Sequence, residues 1–360
     1  MKKTLNIISH IARTLLGIVF IFSGVVKMID PLGTTYKIED YLKAFGGFFT
    51  EFLPLSEAAA MCLIVIEVTL GVCMVLHVKT NWTAWLSFAF YCVMTPLTLY
   101  IALTNPVSDC GCFGDAVILT NWQTFWKNIM LMLLVVILLI TKKYTRPMWT
   151  SPVEAGIAVI SIGCTLGFMF WTLNHLPIKD FRPYKIGNNI PELMEYPEDA
   201  EPDQYAITFV YQKDGEEQEF TLENYPKNDS SWTFVRQKSE LIKKGYEPPI
   251  HDFELMSMEY EDMTYDILES EDVVTLVIMY DLAKTERKNL DKLDEIDEPC
   301  YYVTGSGEAD IEAFCQETGL EMSRFLSCDP VTLKTIVRAN PGVIVLQNGT
   351  IIDKYNLKNR

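Results

Sequence analysis

Five long apolar segments constrain the fold of this 360-residue chain more than any other feature. They lie at about residues 7–28, 57–77, 83–104, 125–141 and 153–175, and each qualifies or nearly qualifies as the run of roughly 20 apolar residues that crosses a membrane as a helix. The first segment has a basic start but no small-x-small cleavage site, so we interpret it as a retained span rather than a signal peptide. The sequence therefore predicts an α-helical membrane bundle of five spans.

The part of the chain after the last span differs sharply in charge. Residues 1–175 hold 11 Lys and Arg and 9 Asp and Glu, whereas residues 176–360 hold 19 and 38, so the second part alone accounts for the negative net charge of the chain, −17. A domain that acidic is soluble, and it does not favour nucleic acid or an anionic lipid surface, because both are polyanions. We therefore expect the lipid bilayer around the first part, and no nucleic acid partner.

The basic residues near the span ends indicate the orientation, because cytoplasmic segments are richer in Lys and Arg. With five spans, one side of the membrane carries Lys2, Lys3, Arg13, Lys79, Lys142, Lys143 and Arg146, and the other carries Lys27, Lys37, Lys43 and Lys127 near its borders. The first set is the larger, which predicts a cytoplasmic N-terminus. The loop between the third and fourth spans and everything after residue 175 then lie outside the cytoplasm.

That loop contains two cysteines separated by one glycine, Cys110-Gly111-Cys112, followed by Phe113-Gly114. Cysteines at this spacing can close a small, strained disulfide, and strain makes such a bond easier to reduce than a structural one. The two glycines permit the backbone angles that so tight a ring needs. A structural pair of thiols and half of a metal site are the alternatives, but no other Cys or His lies nearby. We expect a redox-active pair, Cys110 and Cys112, and no metal site.

With these residues in place, the first part of the chain resembles the MauE/DoxX group of bacterial, redox-associated membrane proteins. The likeness rests on the Cys-Gly-Cys-Phe-Gly loop between two apolar helices and on the first span, with Arg13-Thr-Leu-Leu-Gly17, Phe20-Ile-Phe-Ser23-Gly24, Lys27 and Asp30-Pro31. It covers about residues 10–145. The resemblance implies a four-helix core in the bacterial inner membrane, linked to thiol or quinone redox chemistry. It leaves a quinone open as cofactor and indicates no other.

A carboxylate in the second span is a further candidate site. Glu67 lies near the middle of the segment at 57–77, where a charge is costly unless it is paired, protonated or facing a cavity. Arg13 in the first span is the partner that we predict for it. A structural ion pair that sets helix packing and a role in proton or quinone chemistry both remain open for Arg13 and Glu67.

Residues 177–247 read as a linker followed by a small β-rich segment with no chemical motif. Two strand-like runs, at 205–211 and 219–222, flank Asp214-Gly215, which is a hairpin turn signal.

Residues 248–360 resemble thioredoxin-like domains. A β-branched strand at 273–280, a segment of helical character at 282–296, a strand at 301–304, a helix at 311–318 and a hairpin at 343–355 follow one another in that order. Pro341 matches the place where this family carries a cis-proline. The family's Cys-x-x-Cys after the first strand is missing, so we expect a degenerate domain that docks a partner or covers the cysteine loop. For the remaining cysteines of this part, Cys300, Cys315 and Cys328, we expect one structural disulfide or buried thiols, with a displaced active site as the alternative.

The sequence thus predicts a multi-domain protein. The α-helical membrane bundle comprises a four-helix core (1–147) and a fifth transmembrane helix (148–176), and the linker segment (177–247) leads to an α/β thioredoxin-like extracytoplasmic domain (248–360). The leading hypothesis for function is a thiol-disulfide electron relay between an extracytoplasmic thiol or disulfide protein and a membrane carrier such as a quinone. The alternative is a non-catalytic membrane assembly or chaperone-like factor whose thioredoxin-like domain binds a client protein.

Overall fold

The membrane part consists of long helices joined by short connections. The computed structural model describes residues 2–107, 109–142, 148–202, 204–213, 215–227, 229, 231–243, 245–296 and 299–359. Among these residues, five helices are long and apolar enough to cross a membrane. They are built on α1 (Lys2–Ile29), α3 (Ser56–Val75), α4 (Thr80–Thr104), α5 (Asn121–Thr141) and α6 (Ser151–Asn174). The five predicted spans are confirmed. Two of the basic residues used to predict the orientation, Lys143 and Arg146, lie outside the described residues.

Close packing of α1 against α3 forms the centre of the bundle, with α5 also packed on α1, α4 on α5, and α6 on α3. Glycines permit the α1–α3 approach. A Cβ atom on Gly71 would lie 2.7 Å from the backbone nitrogen of Ile21, and one on Gly17 would lie 3.0 Å from the carbonyl oxygen of Gly71. Small residues at such crossings let helix backbones approach in membranes, where apolar burial between helices contributes little.

The connection between the first and second spans is itself helical. It contains α2 (Pro31–Phe45) and a 3₁₀ segment (Gly47–Leu55). Asp30 caps α2 by accepting a hydrogen bond from the amide of Gly33 at 3.0 Å, and Pro31 occupies the first turn, where it needs no donor. The sequence reading overlooked this start signal because the mixed polarity of α2 gives no membrane-spanning pattern.

A three-stranded antiparallel sheet follows the bundle, in the order β2-β1-β3. Its strands are β1 (Gln204–Lys213), β2 (Glu216–Thr221) and β3 (Thr233–Lys243), preceded by the short helix α7 (Ile190–Met194). The predicted hairpin is confirmed in β1 and β2, with Gly215 at φ +89° in the turn and Asp214 outside the described residues. The third strand was not predicted.

The last part of the chain forms a six-stranded sheet in the order β4-β7-β6-β5-β8-β9. Strands β5 (Val274–Ile278), β6 (Cys300–Thr304) and β7 (Phe325–Ser327) are parallel, whereas β8 (Gly342–Gln347) and β9 (Thr350–Asn356) form an antiparallel hairpin next to β5. The remaining elements are the two-residue β4 (Met256–Ser257) and the helices α8 (Thr264–Leu268), α9 (Glu308–Thr318) and α10 (Pro330–Ile336).

Apolar residues cover both faces of this sheet. Leu276 and Ile278 pack in one core together with Leu333 and Ile336 of α10, whereas Val277 packs in the other core, which also contains the apolar face of α9. Alternation along β5 therefore places successive side chains on opposite faces, as the strand period requires.

The predicted helical segment at 282–296 is wrong in type. Two short 3₁₀ turns stand there, at Leu282–Lys284 and Leu290–Glu295. Between them, Thr285 is extended and Asn289 has φ +68°, and neither conformation can continue a helix. Periodic polarity alone could not reveal this interruption.

The sheet domain docks on the membrane bundle beside the cysteine loop. The guanidinium of Arg338 donates a 2.9 Å hydrogen bond to the carboxylate of Asp30 and lies 3.7 Å from that of Asp115, in the loop. The hydroxyls of Tyr280, which follows β5, and Tyr36, on α2, lie 3.2 Å apart. The cysteine loop and the acidic domain therefore lie on the same side of the bundle.

Candidate functional site

The cysteine loop is closed at its base by side-chain amides. Asn121, at the start of α5, donates from Nδ2 to the side-chain oxygen of Asn105 at 2.8 Å and to the carbonyl oxygen of Val107 at 2.9 Å. Asn105 ends α4 in the left-handed conformation with φ +49°. These contacts hold the ends of α4 and α5 together and limit where the two cysteines can lie.

Cys110 and Cys112 face each other as thiols, with their Sγ atoms 3.1 Å apart. Gly111 between them has φ +62°, and Gly114 has φ +51°. Both angles lie in the region that side chains disfavour, which accounts for glycine at these two positions. The two predicted cysteines are therefore brought together, with their sulfurs about 1 Å further apart than in a disulfide bond of about 2.05 Å.

Helix α2 holds one flank of the loop. The carboxylate of Asp109 accepts hydrogen bonds from the amide of Gly111 at 2.8 Å and from Nζ of Lys37 at 3.0 Å. The hydroxyl of Tyr41, one turn further along α2, donates to the carbonyl oxygen of Cys110 at 2.7 Å. Cys110 is thus fixed against a helix that lies at the surface of the bundle.

The spanning helices hold the other flank. Ser23 Oγ, on α1, lies 2.8 Å from the carbonyl oxygen of Cys112 and 2.9 Å from Oε2 of Glu67 on α3, so its single hydrogen can be donated to either. Lys27, one turn along α1, donates from Nζ to Ser23 Oγ at 2.9 Å. Cys112 is therefore linked through one hydroxyl to a buried ion pair.

The partner of Glu67 is Lys27, which corrects the prediction of Arg13. Lys27 Nζ lies 2.7 Å and 2.8 Å from the two carboxylate oxygens, with both side chains buried. Arg13 lies about 21 Å from Lys27 along α1 at 1.5 Å per residue, and its guanidinium approaches His10 instead, with Nη2 3.4 Å from Nδ1. The sequence carries a signal for this pair, since Ser23 and Lys27 are four residues apart and share one face of α1.

The two thiols differ in electrostatic environment. The hydrogen bond between the thiols, together with the ammonium groups of Lys127 and Lys27, lowers the pKa of Cys112 to about 6, although burial acts in the opposite direction. The same hydrogen bond and burial raise the pKa of Cys110 well above its ordinary value. Lys127, on α5, also lies 4.4 Å from the ring centre of Phe113. The pair thus consists of one thiolate-forming sulfur and one sulfur that keeps its proton.

A cavity of about 340 Å³ opens beside the pair, between α1, α2, α3, α4 and α5. Cys110, Cys112, Lys27, Glu67 and Lys127 contribute to its wall. The apolar part of the wall is formed by Val19, Phe20, Ile38, Ala59, Leu63, Phe90, Met94, Leu97, Phe113 and Leu131. A mostly apolar pocket with a few convergent polar groups is typical of sites for small organic molecules.

Pro341, the remaining predicted site residue, lies away from the cysteine loop and the cavity. Pro341 precedes β8, and the Asn340–Pro341 peptide bond is cis. Cys300, Cys315 and Cys328 are all thiols, and Cys300 and Cys328 are buried. In the part of the chain that the structure describes, no three His, Cys, Asp or Glu side chains are grouped as metal ligands would be.

Comparisons with known proteins agree with the membrane part. A family model described as Methylamine utilisation protein MauE matches residues 5–141, which span α1 to α5 and leave α6 outside. A second model, described as a domain of unknown function (DUF8463), matches residues 205–244, the region of the three-stranded sheet. Comparisons with curated proteins and with solved structures gave no significant match. The N-terminal part of this multi-pass membrane protein is therefore similar to the MauE family.

Proposed function

We propose that this protein is a thiol-disulfide relay of the bacterial inner membrane, in which Cys110 and Cys112 exchange electrons with an extracytoplasmic thiol protein. The observation that carries the proposal is the position of the pair. The two sulfurs lie 3.1 Å apart, between a surface helix on one flank and a largely apolar cavity within the bundle on the other. Such a position gives the pair access both to a soluble protein and to a lipophilic molecule.

The direction that we propose is oxidation of the partner. A Cys-x-Cys disulfide is strained, and strained disulfides have the more oxidising potentials. A partner dithiol would pass two electrons and two protons to the Cys110–Cys112 disulfide and become a disulfide itself. The loop would then be a dithiol, and its reoxidation requires an acceptor of two electrons.

A quinone fits the cavity as that acceptor. The volume of about 340 Å³ and the apolar wall suit a lipophilic ring, and Lys27 and Lys127 present N–H donors to polar atoms of such a ring. A bound quinone would supply the capacity for two electrons and two protons. The protein's own contribution would be to hold the ring beside Cys112 and to exclude water with the apolar side chains. The Lys27–Glu67 pair in the cavity wall would take up and release the protons of the exchange.

We propose that residues 248–360 form a degenerate thioredoxin-like domain that covers the loop. Three parallel strands followed by an antiparallel hairpin, with helices on both faces, support that proposal. The strand end at Tyr280, where the family carries its cysteines, contacts α2 through Tyr36. A domain without these cysteines can shape access to Cys110 and Cys112 without competing for electrons.

The orientation remains part of the proposal, with a cytoplasmic N-terminus and the loop and sheet domain outside. Lys3, Lys79 and Lys142 lie near the helix ends opposite the cysteine loop, and this bias supports it. The rival function, a non-catalytic assembly or chaperone-like factor, shares this topology and differs in the reactivity of the two thiols.

Thiol trapping in intact cells tests both the topology and the chemistry. A variant that keeps only Cys110 and Cys112 is treated with a membrane-impermeant maleimide before and after reduction. The relay predicts labelling only after reduction, whereas permanent thiols, labelled equally in both states, would favour the assembly factor. A variant that keeps only Cys315, a half-exposed thiol of the sheet domain, is the matched control, and it should be labelled without reduction. No labelling of Cys315 would contradict the orientation.

A further inference from the structure

Resting on the proposed function, we infer a division of labour within the pair: Cys110 forms the mixed disulfide with the partner protein, and Cys112 is the sulfur that leaves. The inference starts from where each cysteine is anchored. Cys110 is held by Tyr41 on α2, a helix of the bundle surface. Cys112 is held by Ser23 on α1, within the spanning helices. The backbone of Cys110 is thus held on the α2 flank of the loop, and that of Cys112 on the α1 flank.

The cations around the pair are arranged on the side of Cys112. Lys127 hydrogen-bonds its thiol, and Lys27 contributes a second positive charge through its position next to Ser23. The basic residue on the other flank, Lys37, is paired with Asp109 at 3.0 Å. A negative charge that develops on Cys112 therefore meets the ammonium group of Lys127 through a hydrogen bond, with the Lys27–Glu67 pair beyond it, whereas one that develops on Cys110 is reached by Lys127 only through space and lies beside the paired Lys37 and the Tyr41 hydroxyl.

This asymmetry decides which sulfur of the loop disulfide a partner thiolate attacks. In thiol-disulfide exchange, the sulfur that leaves more readily is the one with the more stable thiolate. Attack on Cys110 Sγ forms a bond between the partner sulfur and Cys110 and breaks the Cys110–Cys112 bond, with the electron pair going to Cys112. Attack on Cys112 would instead expel Cys110, whose thiolate is disfavoured by burial and is reached by Lys127 only through space.

The second half of the exchange accounts for the remaining bond and for the two protons of the partner. The partner's second thiolate attacks the partner sulfur of the mixed disulfide and releases Cys110, which takes up one proton, while the other proton passes to solvent. The partner becomes a disulfide, and the loop holds a Cys110 thiol and a Cys112 thiolate. Cys112 thus carries the electron pair at the wall of the cavity, where an acceptor can take it.

Glutathione is a suitable probe for this division, because it needs no knowledge of the natural partner. Full-length protein in detergent is oxidised with diamide, mixed with reduced glutathione for seconds, quenched with acid, and analysed by mass spectrometry with fragmentation between the two cysteines. We expect glutathione on Cys110 in at least about tenfold excess over Cys112, since leaving-group stability governs the site of attack.

Lys127→Met should reduce that preference severalfold, because it removes the ammonium group that hydrogen-bonds Cys112. Lys43→Met removes an exposed lysine of α2 that lies 3.9 Å from Glu39, and serves as the matched control with an unchanged ratio. Glutathione mainly on Cys112, or equally on both cysteines, would overturn the division while leaving the relay intact. A loop that diamide cannot oxidise would instead overturn the relay and the division together.

Discussion

Lys27 and Glu67 form a buried ion pair between α1 and α3, with Nζ 2.7 Å from Oε1 of the carboxylate. Both side chains are only 6% exposed. Two charges at that depth are tolerated because each satisfies the other and Ser23 adds a further hydrogen bond. Since Ser23 also contacts the carbonyl oxygen of Cys112, the pair joins the packing of the bundle to the position of the cysteine loop.

Breaking this pair should destabilise the bundle more than removing it. Lys27→Met or Glu67→Gln leaves one buried partner without its counterpart, and we expect a loss of about 3–5 kcal/mol in the free energy of unfolding for Lys27→Met, with a smaller loss for the neutral amide. The double variant K27M/E67M should be more stable than K27M alone. Thermal unfolding of the detergent-solubilised protein measures the series.

Glu57→Gln is the matched control for that series, because Glu57 is exposed at the start of the same helix. It should unfold at the temperature of the unmodified protein. A loss in the double variant equal to the sum of the losses in K27M and E67M would show that the two charges do not depend on each other.

Arg338 should fasten the sheet domain to the membrane bundle. Its side chain is buried, donates to Asp30 at 2.9 Å, and lies 5.1 Å from the ring centre of Tyr36. Arg338→Ala leaves the Asp30 carboxylate without its cation, and truncation of one partner in such a pair costs about 2–5 kcal/mol at an interface. We expect the amides of α2 to exchange hydrogen faster in this variant. Arg324→Ala, which breaks an exposed pair with Glu321, should leave that exchange rate unchanged.

The alkylation of Cys112 should depend on pH with a midpoint near 6. The thiol hydrogen bond and the two lysines lower its pKa to about 6, so the thiolate predominates above that pH and is protonated below it. The rate of reaction with iodoacetamide should therefore rise about tenfold per pH unit below the midpoint and level off above it. Mass spectrometry that resolves Cys112 from Cys110 follows the rate.

Lys127→Met should move that midpoint upward by about one pH unit, because it removes a positive charge next to the thiolate. Lys43→Met should leave the midpoint in place. A midpoint near the ordinary cysteine value of about 8.5 in the unmodified protein would contradict the thiolate assignment.

Gly111→Ala should weaken the loop. Gly111 has φ +62°, where a side chain costs about 1–2 kcal/mol, and the added Cβ would lie 2.8 Å from Cγ of Lys37. We expect a lower unfolding temperature and slower closure of the Cys110–Cys112 disulfide by diamide. Gly307→Ala is the control, because this glycine has φ −73° and open space around its Cα. Unchanged closure in Gly111→Ala would show that the loop tolerates a side chain here.

The sequence determined those features of this protein that arise from neighbouring residues. Apolar length alone located the five spans, because a helix must be about 20 residues long to cross a bilayer. The spacing of Cys110 and Cys112 identified the pair, and the run at 273–280 identified a buried strand that the structure has as β5. Even the missed helix α2 carried a local signal in Asp30-Pro31.

Only the tertiary structure decided which distant side chains meet. Glu67 pairs with Lys27 rather than Arg13 because the packing of α1 on α3 sets the register of the two helices, and no local pattern encodes that register. Likewise, Arg338 reaches Asp30 across 308 positions of the chain through the docking of a whole domain. The cavity beside Cys112 is formed by five helices at once. Such contacts depend on the sum of many packing interactions, which the order of residues does not display.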